Sequence, residues 1–350
     1  MRAAVMEGIR RPLEVQDVKD PALFANGAIV RVEANGICRS DWHAWTGDWS
    51  WFGLKLSFPH VLGHEFCGVV EEVSPEVTRV KKGDRVLVPF SQGEGSCDWC
   101  RNGQAHLCDT RFTPGIAYWG GFGRYVGVPF ADVNLVPLPA SIDFVEAASM
   151  GCRFMTSFHA LVDRAKVMAG EWVAVHGCGG VGLSAVHIAS ALGANVVAVD
   201  ISDEKLDWAT RLGAVATING TQANAVKEIA RLTDGGAHVS VDALGIAATC
   251  QASVMSLRKQ GRHVQIGLTS SAEQGQVALP IDLVVLKEVS LVGSYGMPAT
   301  RFGAMLAMVE TGKLAPGKLV SRSVPLEEAG GVLASMDAFS TVGVTVIDRY

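Results

Sequence analysis

The spacing of hydrophobic and polar residues changes about halfway along the chain. Up to about residue 150, short runs that suit strands are separated by glycine and proline, for example Val69–Val73, Asp84–Val88 and Arg124–Val128. From about Gly170 onward, buried-strand runs alternate with segments of helical spacing. The pattern therefore predicts a β-rich region followed by an α/β region.

The second region alternates regularly enough to predict a parallel sheet. Its predicted strands are Trp172–Val175, Asn195–Val199, His238–Val241 and Arg262–Ile266. Its predicted helices are Val181–Leu192, Asp203–Leu212, Ala223–Leu232 and Ala247–Leu257. Strands joined by helical segments of this length form right-handed βαβ crossovers. We expect a doubly wound parallel sheet here, while the last fifty or so residues carry mixed signals that fit either region.

Composition and charge narrow the class of protein. The 350 residues suit about two domains of roughly 150 residues each. A hydrophobic share of 49% and a charged share of 19% are ordinary for a globular chain. The net charge of −5 argues against a nucleic-acid or membrane surface. The first residues lack the apolar core of a signal peptide, and no apolar run reaches the roughly 18 residues of a membrane span. We expect a cytoplasmic protein.

The cysteines point to metal or catalytic chemistry. A cytoplasmic chain should keep its eight cysteines reduced, so their spacing is better interpreted through metal binding than through disulfides. Cys97, Cys100 and Cys108 fall within twelve positions of one another. Chance seldom produces such a cluster, so it needs a metal or redox role.

A glycine-rich segment predicts a dinucleotide site. Gly177, Gly179 and Gly182 satisfy G-x-G-x-x-G between a predicted strand and a predicted helix, where the backbone can approach a pyrophosphate. Asp200 ends the next strand eighteen positions later, where a carboxylate can accept both ribose hydroxyls. The same carboxylate would repel a 2′-phosphate, so NAD is favoured over NADP. The alternative is a glycine-rich turn followed by a solvent-exposed aspartate.

Three residues far apart in the chain suit a catalytic zinc ion. Cys38, His64 and Cys152 would supply two thiolates and one imidazole, leaving a fourth tetrahedral position open. Taken alone, each of these residues is more often structural. Their order along the chain, together with the neighbouring motifs, changes that balance.

The motifs resemble those of the zinc-containing medium-chain alcohol dehydrogenases. The chain shows C-R-S-D-x-H from residue 38, G-H-E from residue 63, G-C-R with F-M-T-S-F-H-A from residue 151, and G-x-G-G-V-G from residue 177. The resemblance implies a GroES-like β-rich catalytic domain over residues 1–153 and a Rossmann NAD-binding domain over 154–296. Residues 297–350 would return to the catalytic domain.

The resemblance also assigns roles around the catalytic zinc. It implies that Cys38, His64 and Cys152 are the ligands, that Asp41 orients His64, and that Glu65 lies beside the metal and ligates it transiently. Polyol dehydrogenases, which resemble the chain elsewhere, usually carry glutamate at the position of Cys152. A cysteine there favours the alcohol branch.

The expected reaction follows from these roles. Zinc would lower the pKa of the bound alcohol, and the alkoxide would then pass hydride to NAD. The proton would leave through Ser40 and His43, although His43 also fits a surface histidine.

Several cofactor contacts are implied by the same resemblance. Arg39 resembles the family's pyrophosphate contact and Lys205 its contact with the adenosine ribose, although Lys205 equally fits a solvated helix face. The expected cofactor-binding glycine loop comprises Gly177, Gly179, Gly180, Val181 and Gly182.

The chain departs from the family pattern in two places. The family's structural-zinc lobe has four cysteines, of which Cys97, Cys100 and Cys108 match the last three, while Glu94 occupies the first position. A carboxylate oxygen can bind zinc, so we expect a structural zinc site, with an empty lobe as the alternative. Near the end, Gly343-Val344 replaces the glycine and arginine by which many relatives help to hold the pyrophosphate.

The substrate and the assembly are less constrained. Trp49 and Phe90 resemble positions that line the alcohol pocket, whereas Trp42, Trp45 and Trp51 suit a hydrophobic core equally well. The expected partners are an alcohol with its aldehyde or ketone, and a homo-oligomer, either a tetramer or a dimer. The alternatives are a polyol, amino-alcohol or formaldehyde dehydrogenase, a zinc-free reductase of the same superfamily, and a non-enzymatic protein on the same scaffold.

Overall fold

A computed structural model describes residues 1–350, and these divide into two compact units. One unit comprises Met1–Met155 and Gly296–Tyr350, and the other comprises Thr156–Tyr295. None of the helices combines the length and the apolar character that a membrane crossing requires.

The N-terminal part of the first unit is mainly β-structure. Its strands are β1 (Arg2–Met6), β2 (Glu14–Asp17), β3 (Ala28–Ile37), β4 (His60–Val61), β5 (Glu65–Val73), β6 (Arg85–Leu87), β7 (Tyr125–Val128) and β8 (Val136–Pro137). Its helices are α1 (Arg39–Thr46), α2 (Asp98–Arg101), α3 (Ala131–Asn134) and α4 (Phe144–Ala148). The three strands predicted from the sequence correspond to β5, β6 and β7 and are confirmed.

The second unit alternates helices and strands. It contains β9 (Trp172–His176), β10 (Asn195–Asp200), β11 (Ala214–Asn219), β12 (Ala237–Asp242), β13 (Leu257–Gln265) and β14 (Ser290–Gly293). Its helices are α5 (Met155–Phe158), α6 (Gly180–Ala191), α7 (Asp203–Arg211), α8 (Ala225–Leu232), α9 (Ala247–Met255) and α10 (Ile281–Leu286). Two π-helical turns, Met150–Phe154 and His159–Arg164, flank α5.

The strands of the second unit form one parallel sheet in the order β11-β10-β9-β12-β13-β14. The predicted doubly wound parallel sheet is therefore confirmed. From β9 the strands are added on one side as far as β11, and from β12 they are added on the other side as far as β14. The switch point, where ligands bind in such sheets, therefore lies between β9 and β12. Strands β11 and β14 were not predicted from the sequence, because both are edge strands in which exposed residues interrupt the buried-strand pattern.

The C-terminal residues add α11 (Phe302–Glu310), β15 (Val320–Pro325), α12 (Ala329–Ser335) and β16 (Val344–Arg349). Their strands extend a sheet of the first unit in the order β15-β16-β3-β5-β6-β8, with β7 also paired to β3. Leu333, Met336 and Ile347 are buried in one cluster with residues of β1 and α1. The last fifty residues thus contribute both strands and core side chains to the first unit.

Strand β3 organises this sheet because it pairs with β5, β7 and β16. Eight of its ten residues are buried, so it is covered on both faces along most of its length. It ends at Ile37, directly before the first of the predicted zinc ligands.

Candidate active site

Helix α1 begins where β3 ends, and this junction places Cys38. The Asp41 side chain folds back onto the helix start and its Oδ2 accepts a hydrogen bond from the Cys38 backbone N–H at 2.8 Å. This satisfies one of the backbone donors that a helix leaves free at its N-terminus. Asp41 therefore fixes the backbone that carries the Cys38 thiol.

The other carboxylate oxygen of Asp41 orients His64. Its Oδ1 accepts from His64 Nδ1 at 2.9 Å and from the Gly63 backbone N–H at 3.2 Å. The bond to Nδ1 leaves Nε2 of His64 as the nitrogen that can bind a metal. This Nε2 is buried and has no hydrogen-bond partner.

A π-helical turn supplies the second thiol. Cys152 lies within Met150–Phe154, between α4 and α5. Ligand atoms of Cys38, His64, Glu65 and Cys152 all lie within 4.8 Å of one another. A hydrogen bond from Cys152 holds the pKa of the Cys38 thiol well below its usual range, which favours thiolate character. Two sulfurs beside an unpartnered imidazole nitrogen are a donor set that fits zinc.

Glu65 and Arg153 form a buried ion pair beside these ligands. Arg153 Nε donates to Glu65 Oε1 at 2.9 Å, and its Nη2 donates to Oε2. Burial raises the pKa of Glu65 to about 7, against the opposing influence of Arg153. No role was predicted for Arg153 from the sequence, although its position directly after Cys152 in the G-C-R motif was the available signal.

The predicted proton-relay residues both lie on α1. Ser40 is the second residue of the helix and is half-buried. His43 pairs through Nδ1 with Asp48 Oδ2 at 2.7 Å, and its ring stacks on Trp49 with 4.4 Å between ring centroids. Burial lowers the pKa of His43, while Asp48 opposes that shift.

Arg39 lies between two aromatic rings. Its guanidinium carbon is 3.9 Å from the centre of the Trp42 ring and 3.8 Å from that of Phe339. Nη1 donates to the carbonyl oxygen of Met336, whereas Nη2 is buried without a hydrogen-bond partner. The rings restrain the plane of the guanidinium and leave one nitrogen available in that plane.

The aromatic residues divide between site and core. Phe90 contacts the imidazole of His64 edge-on, with ring centroids 6.1 Å apart. Trp42 and Trp45 are buried in the core cluster that includes β1, as the core interpretation predicted. Trp51 is half-buried and packs against Phe52.

The glycine loop after β9 forms a tight turn that depends on its glycines. Gly177 has a φ of +89°, a left-handed conformation that glycine adopts without strain. A Cβ on Gly182 would lie 1.7 Å from the Gly177 carbonyl oxygen, whereas a Cβ on Gly179 would meet nothing within 4 Å. Gly182 thus permits close packing within the loop, and Gly179 keeps space open above it.

Asp200 lies at the end of β10, next to this loop. Its carboxylate accepts from the backbone N–H groups of Cys178 at 2.7 Å, Ile201 at 2.8 Å and Ser202 at 3.0 Å. Lys205 belongs to the first turn of α7, where its backbone N–H donates to the Ser202 hydroxyl at 3.4 Å. The carboxylate therefore has a fixed orientation beside the glycine loop.

A second buried carboxylate, which was not predicted from the sequence, lies at the same edge of the sheet. Asp242 ends β12 and accepts from the Leu244 N–H, the Thr249 hydroxyl and the Gln265 amide at 2.9–3.0 Å. A Cβ on Gly177 would lie 2.5 Å from Leu244 Cγ, so the loop after β12 contacts the glycine loop. The only signal in the sequence was that Asp242 directly follows the predicted strand His238–Val241.

A separate lobe brings together the four residues predicted for structural zinc. Ligand atoms of Glu94, Cys97, Cys100 and Cys108 all lie within 4.8 Å of one another. Glu94 Oε1 accepts from the Cys97 N–H at 2.8 Å, and Cys97 Sγ lies 3.7 Å from Cys108 Sγ. All eight cysteines of the chain are free thiols. Three sulfurs and one carboxylate fit a closed tetrahedral site.

A parallel sheet with a glycine loop at its switch point, together with a Cys–His–Cys cluster, defines a zinc-type dehydrogenase that uses a dinucleotide. The family models agree with this class. Residues 25–140 match the alcohol dehydrogenase GroES-like domain, and residues 180–311 match the zinc-binding dehydrogenase domain.

Full-length relatives are consistent with these matches. The chain is 37% identical to an alcohol dehydrogenase of Geobacillus stearothermophilus over 96% of each protein. It is 34% identical to an NAD-dependent alcohol dehydrogenase of Sulfurisphaera tokodaii over 99% of each. The solved structure of an alcohol dehydrogenase from Thermus sp. ATN1 superposes with a TM-score of 0.90 at 31% identity, covering 100% of both chains.

The chain therefore belongs to the zinc-dependent medium-chain alcohol dehydrogenase family, and it is an NAD-dependent alcohol oxidoreductase. The predicted family, fold class and reaction are confirmed. The family's cofactors, zinc and NAD, agree with the donor sets and the glycine loop described above.

Proposed function

We propose that Cys38, His64 and Cys152 hold the catalytic zinc of this alcohol dehydrogenase. The observation that carries the proposal is the buried, unpartnered Nε2 of His64, which lies within 4.8 Å of both thiol sulfurs. A buried polar atom without a partner is costly, and a metal ion relieves that cost.

When bound, zinc supplies a Lewis acid that lowers the pKa of an alcohol, and NAD supplies the hydride acceptor. The protein's contribution is to position the groups around the reacting alcohol. Asp41 holds His64 with Nδ1 protonated, so that Nε2 keeps its lone pair directed toward the two thiols. Phe90 lies edge-on to the His64 imidazole, and we assign it to the border of the alcohol pocket.

We assign the outward movement of the proton to Ser40 and His43. The lowered pKa of His43, caused by burial, keeps its imidazole neutral near pH 7 and able to accept a proton at Nε2. Asp48 binds Nδ1 and so selects that tautomer. The stacked Trp49 ring fixes the plane of His43 and borders the proposed alcohol pocket together with Phe90.

We place NAD on the glycine loop of the second unit. Its pyrophosphate would lie against the backbone of Gly177, Gly179, Gly180, Val181 and Gly182, at the start of α6. Asp200 would accept the ribose hydroxyls and disfavour a 2′-phosphate. Arg39 and Lys205 keep the roles that the family resemblance gives them, in contact with the pyrophosphate and the adenosine ribose.

We further propose a second zinc ion in the lobe, held by Glu94, Cys97, Cys100 and Cys108. Four protein ligands leave no open position, so this ion would stabilise the lobe and take no part in turnover. In this assignment the first unit is the catalytic domain and the second unit is the NAD-binding domain.

A cytoplasmic homo-oligomer, a dimer or a tetramer, also remains part of the proposal. The edge strand β14 has no strand on its outer side, and Leu291 on it is 45% exposed. On the adjoining α10, Val285 is 67% and Leu286 is 80% exposed. An exposed apolar edge of this kind favours pairing with a second copy.

The test is NADH formation over a panel of primary and secondary alcohols, with polyols, amino alcohols and formaldehyde included. Turnover should be greatest with simple alcohols and should be lost on treatment with phenanthroline. Cys38→Ser should abolish turnover with the fold intact, and the matched variant Cys250→Ser should not. Full activity in Cys38→Ser, or in protein shown to be free of zinc, would refute the assignment.

A further inference from the structure

Arg153 connects the three segments that carry the proposed zinc ligands. Ile37 directly precedes Cys38, Glu65 directly follows His64, and Arg153 itself directly follows Cys152. The Arg153 guanidinium donates to both carboxylate oxygens of Glu65 and, through Nη2, to the Ile37 carbonyl oxygen at 3.1 Å. One side chain therefore connects three stretches that are remote in sequence.

The ion pair is held within the protein interior. The Glu65 side chain is fully buried and that of Arg153 is 8% exposed. Two glycines make room for it: a Cβ on Gly36 would lie 2.3 Å from Glu65 Oε2, and one on Gly151 would lie 2.7 Å from Glu65 Cα. A buried pair with this geometry restricts the Glu65 carboxylate to one position.

Without that restraint, Glu65 is within reach of the metal. One of its oxygens lies within 4.8 Å of the ligand atoms of Cys38, His64 and Cys152. Carboxylate oxygen is an ordinary zinc ligand, and four protein ligands make a closed, structural type of site. A catalytic zinc needs its fourth position open, so the position of Glu65 decides between the two kinds of site.

We propose that Arg153 is a positioning residue that keeps Glu65 out of the fourth coordination position. The inference rests on the proposed catalytic zinc site, and it limits the transient ligation by Glu65 that the family resemblance implies. In this role Arg153 acts through Glu65 and touches neither alcohol nor cofactor.

The experiment uses the full-length protein in which cobalt(II) replaces zinc, because cobalt's visible absorption reports the ligands around it. Imidazole is the probe, since it binds only a metal with an open position. The variants are R153M, E65Q and E65Q/R153M, with R262M as the matched control. Arg262 pairs with the buried Glu171 in the other unit at 2.6 Å.

In R153M the imidazole affinity and the turnover should each fall by roughly 10–100-fold, the range for loss of a group that orients metal ligands. In E65Q/R153M the imidazole affinity should return to that of E65Q, because the carboxylate that would close the site is gone. R262M should bind imidazole as the unmodified protein does.

Two results would overturn the proposal: an R153M protein with unchanged imidazole affinity, or a double variant that stays as impaired as R153M. If R153M does not fold, R153K replaces it. Lysine's single ammonium cannot hold both carboxylate oxygens, so unchanged imidazole binding in R153K would also overturn the proposal. If the unmodified protein shows no cobalt absorption from these ligands, the zinc assignment itself fails, and the proposed role of Arg153 fails with it. That outcome is distinct from the two above, in which cobalt binds.

Discussion

Replacing Asp41 by asparagine removes the carboxylate that bonds Cys38 and His64, two of the proposed zinc ligands, and leaves the size and shape of the side chain almost unchanged. In the structure, Asp41 Oδ1 accepts from His64 and Gly63, and Oδ2 accepts from Cys38. Asparagine has one oxygen and one NH2 group. If the oxygen serves His64 and Gly63, the NH2 group faces the Cys38 N–H, and two donors then oppose each other in a buried place.

The magnitude follows from the bonds lost. A hydrogen bond to a charged acceptor contributes about 1.5–3 kcal/mol, and a buried donor left unpaired costs about 1–3 kcal/mol. These two figures describe partly the same loss and are not simply added, so D41N should lower the free energy of unfolding by about 2–4 kcal/mol. D41A leaves three donors unpaired and should cost roughly 3–9 kcal/mol. Zinc affinity should fall by roughly 10–100-fold in D41N, because Nδ1 of His64 loses a charged acceptor.

The assay is urea unfolding together with competition for zinc by a chromogenic chelator. D132N is the matched control, since Asp132 also accepts several donors, from Thr78 and Arg79, but lies at the surface away from the metal ligands. D132N should leave zinc affinity unchanged. A D41N protein with the stability and zinc affinity of the unmodified protein would refute this account of how His64 is positioned.

Three further predictions concern the rest of the chain. Burial lowers the pKa of His176 to about 3. On acidification the unfolded chain therefore binds a proton at His176 before the folded chain does, and the free energy of unfolding falls as the pH falls. Between about pH 6 and pH 4, unfolding free energies should drop by about 1.4 kcal/mol per pH unit more than in His176→Asn, and parallel curves would contradict this. Gly179→Ala should keep the melting temperature of the unmodified protein but lose NADH binding, measured by fluorescence. Gly182→Ala should unfold more easily, because the new Cβ would clash with the carbonyl oxygen of Gly177. Equal effects of the two substitutions would refute the loop assignment. Cys97→Ala should lower the melting temperature by roughly 5–10 °C and release one zinc ion, with turnover retained at low temperature. The control Cys250→Ala should keep its zinc content. An unchanged metal content in Cys97→Ala would disprove the lobe site.

Much of the fold was predictable because its signals are local. The helices α6 and α7 were predicted to within one residue at each end, since Gly193 and Gly213 follow them in left-handed conformations that end a helix. The edge strand β11 was missed because its exposed positions remove the buried-strand pattern. Hydrophobic periodicity reflects which positions are buried, and an edge strand has few buried positions.

The candidate site was only partly predictable, for a different reason. The residues that could bind metal stand in motifs, so Cys38, His64 and Cys152 were predicted from the sequence, and the structure brings them together. The partnership of Glu65 with Arg153 spans 88 positions and depends on room left by two glycines. The stacking of Phe339 on Arg39 depends on where the C-terminal segment returns. Contacts of this kind arise from tertiary packing, and no pattern in the sequence specifies them.

The most direct test of the central claim is anomalous diffraction at the zinc absorption edge from crystals of the active protein. The account predicts one peak bonded to the sulfurs of Cys38 and Cys152 and to Nε2 of His64, with Glu65 still paired to Arg153. Active crystals without a peak at these three atoms would contradict it.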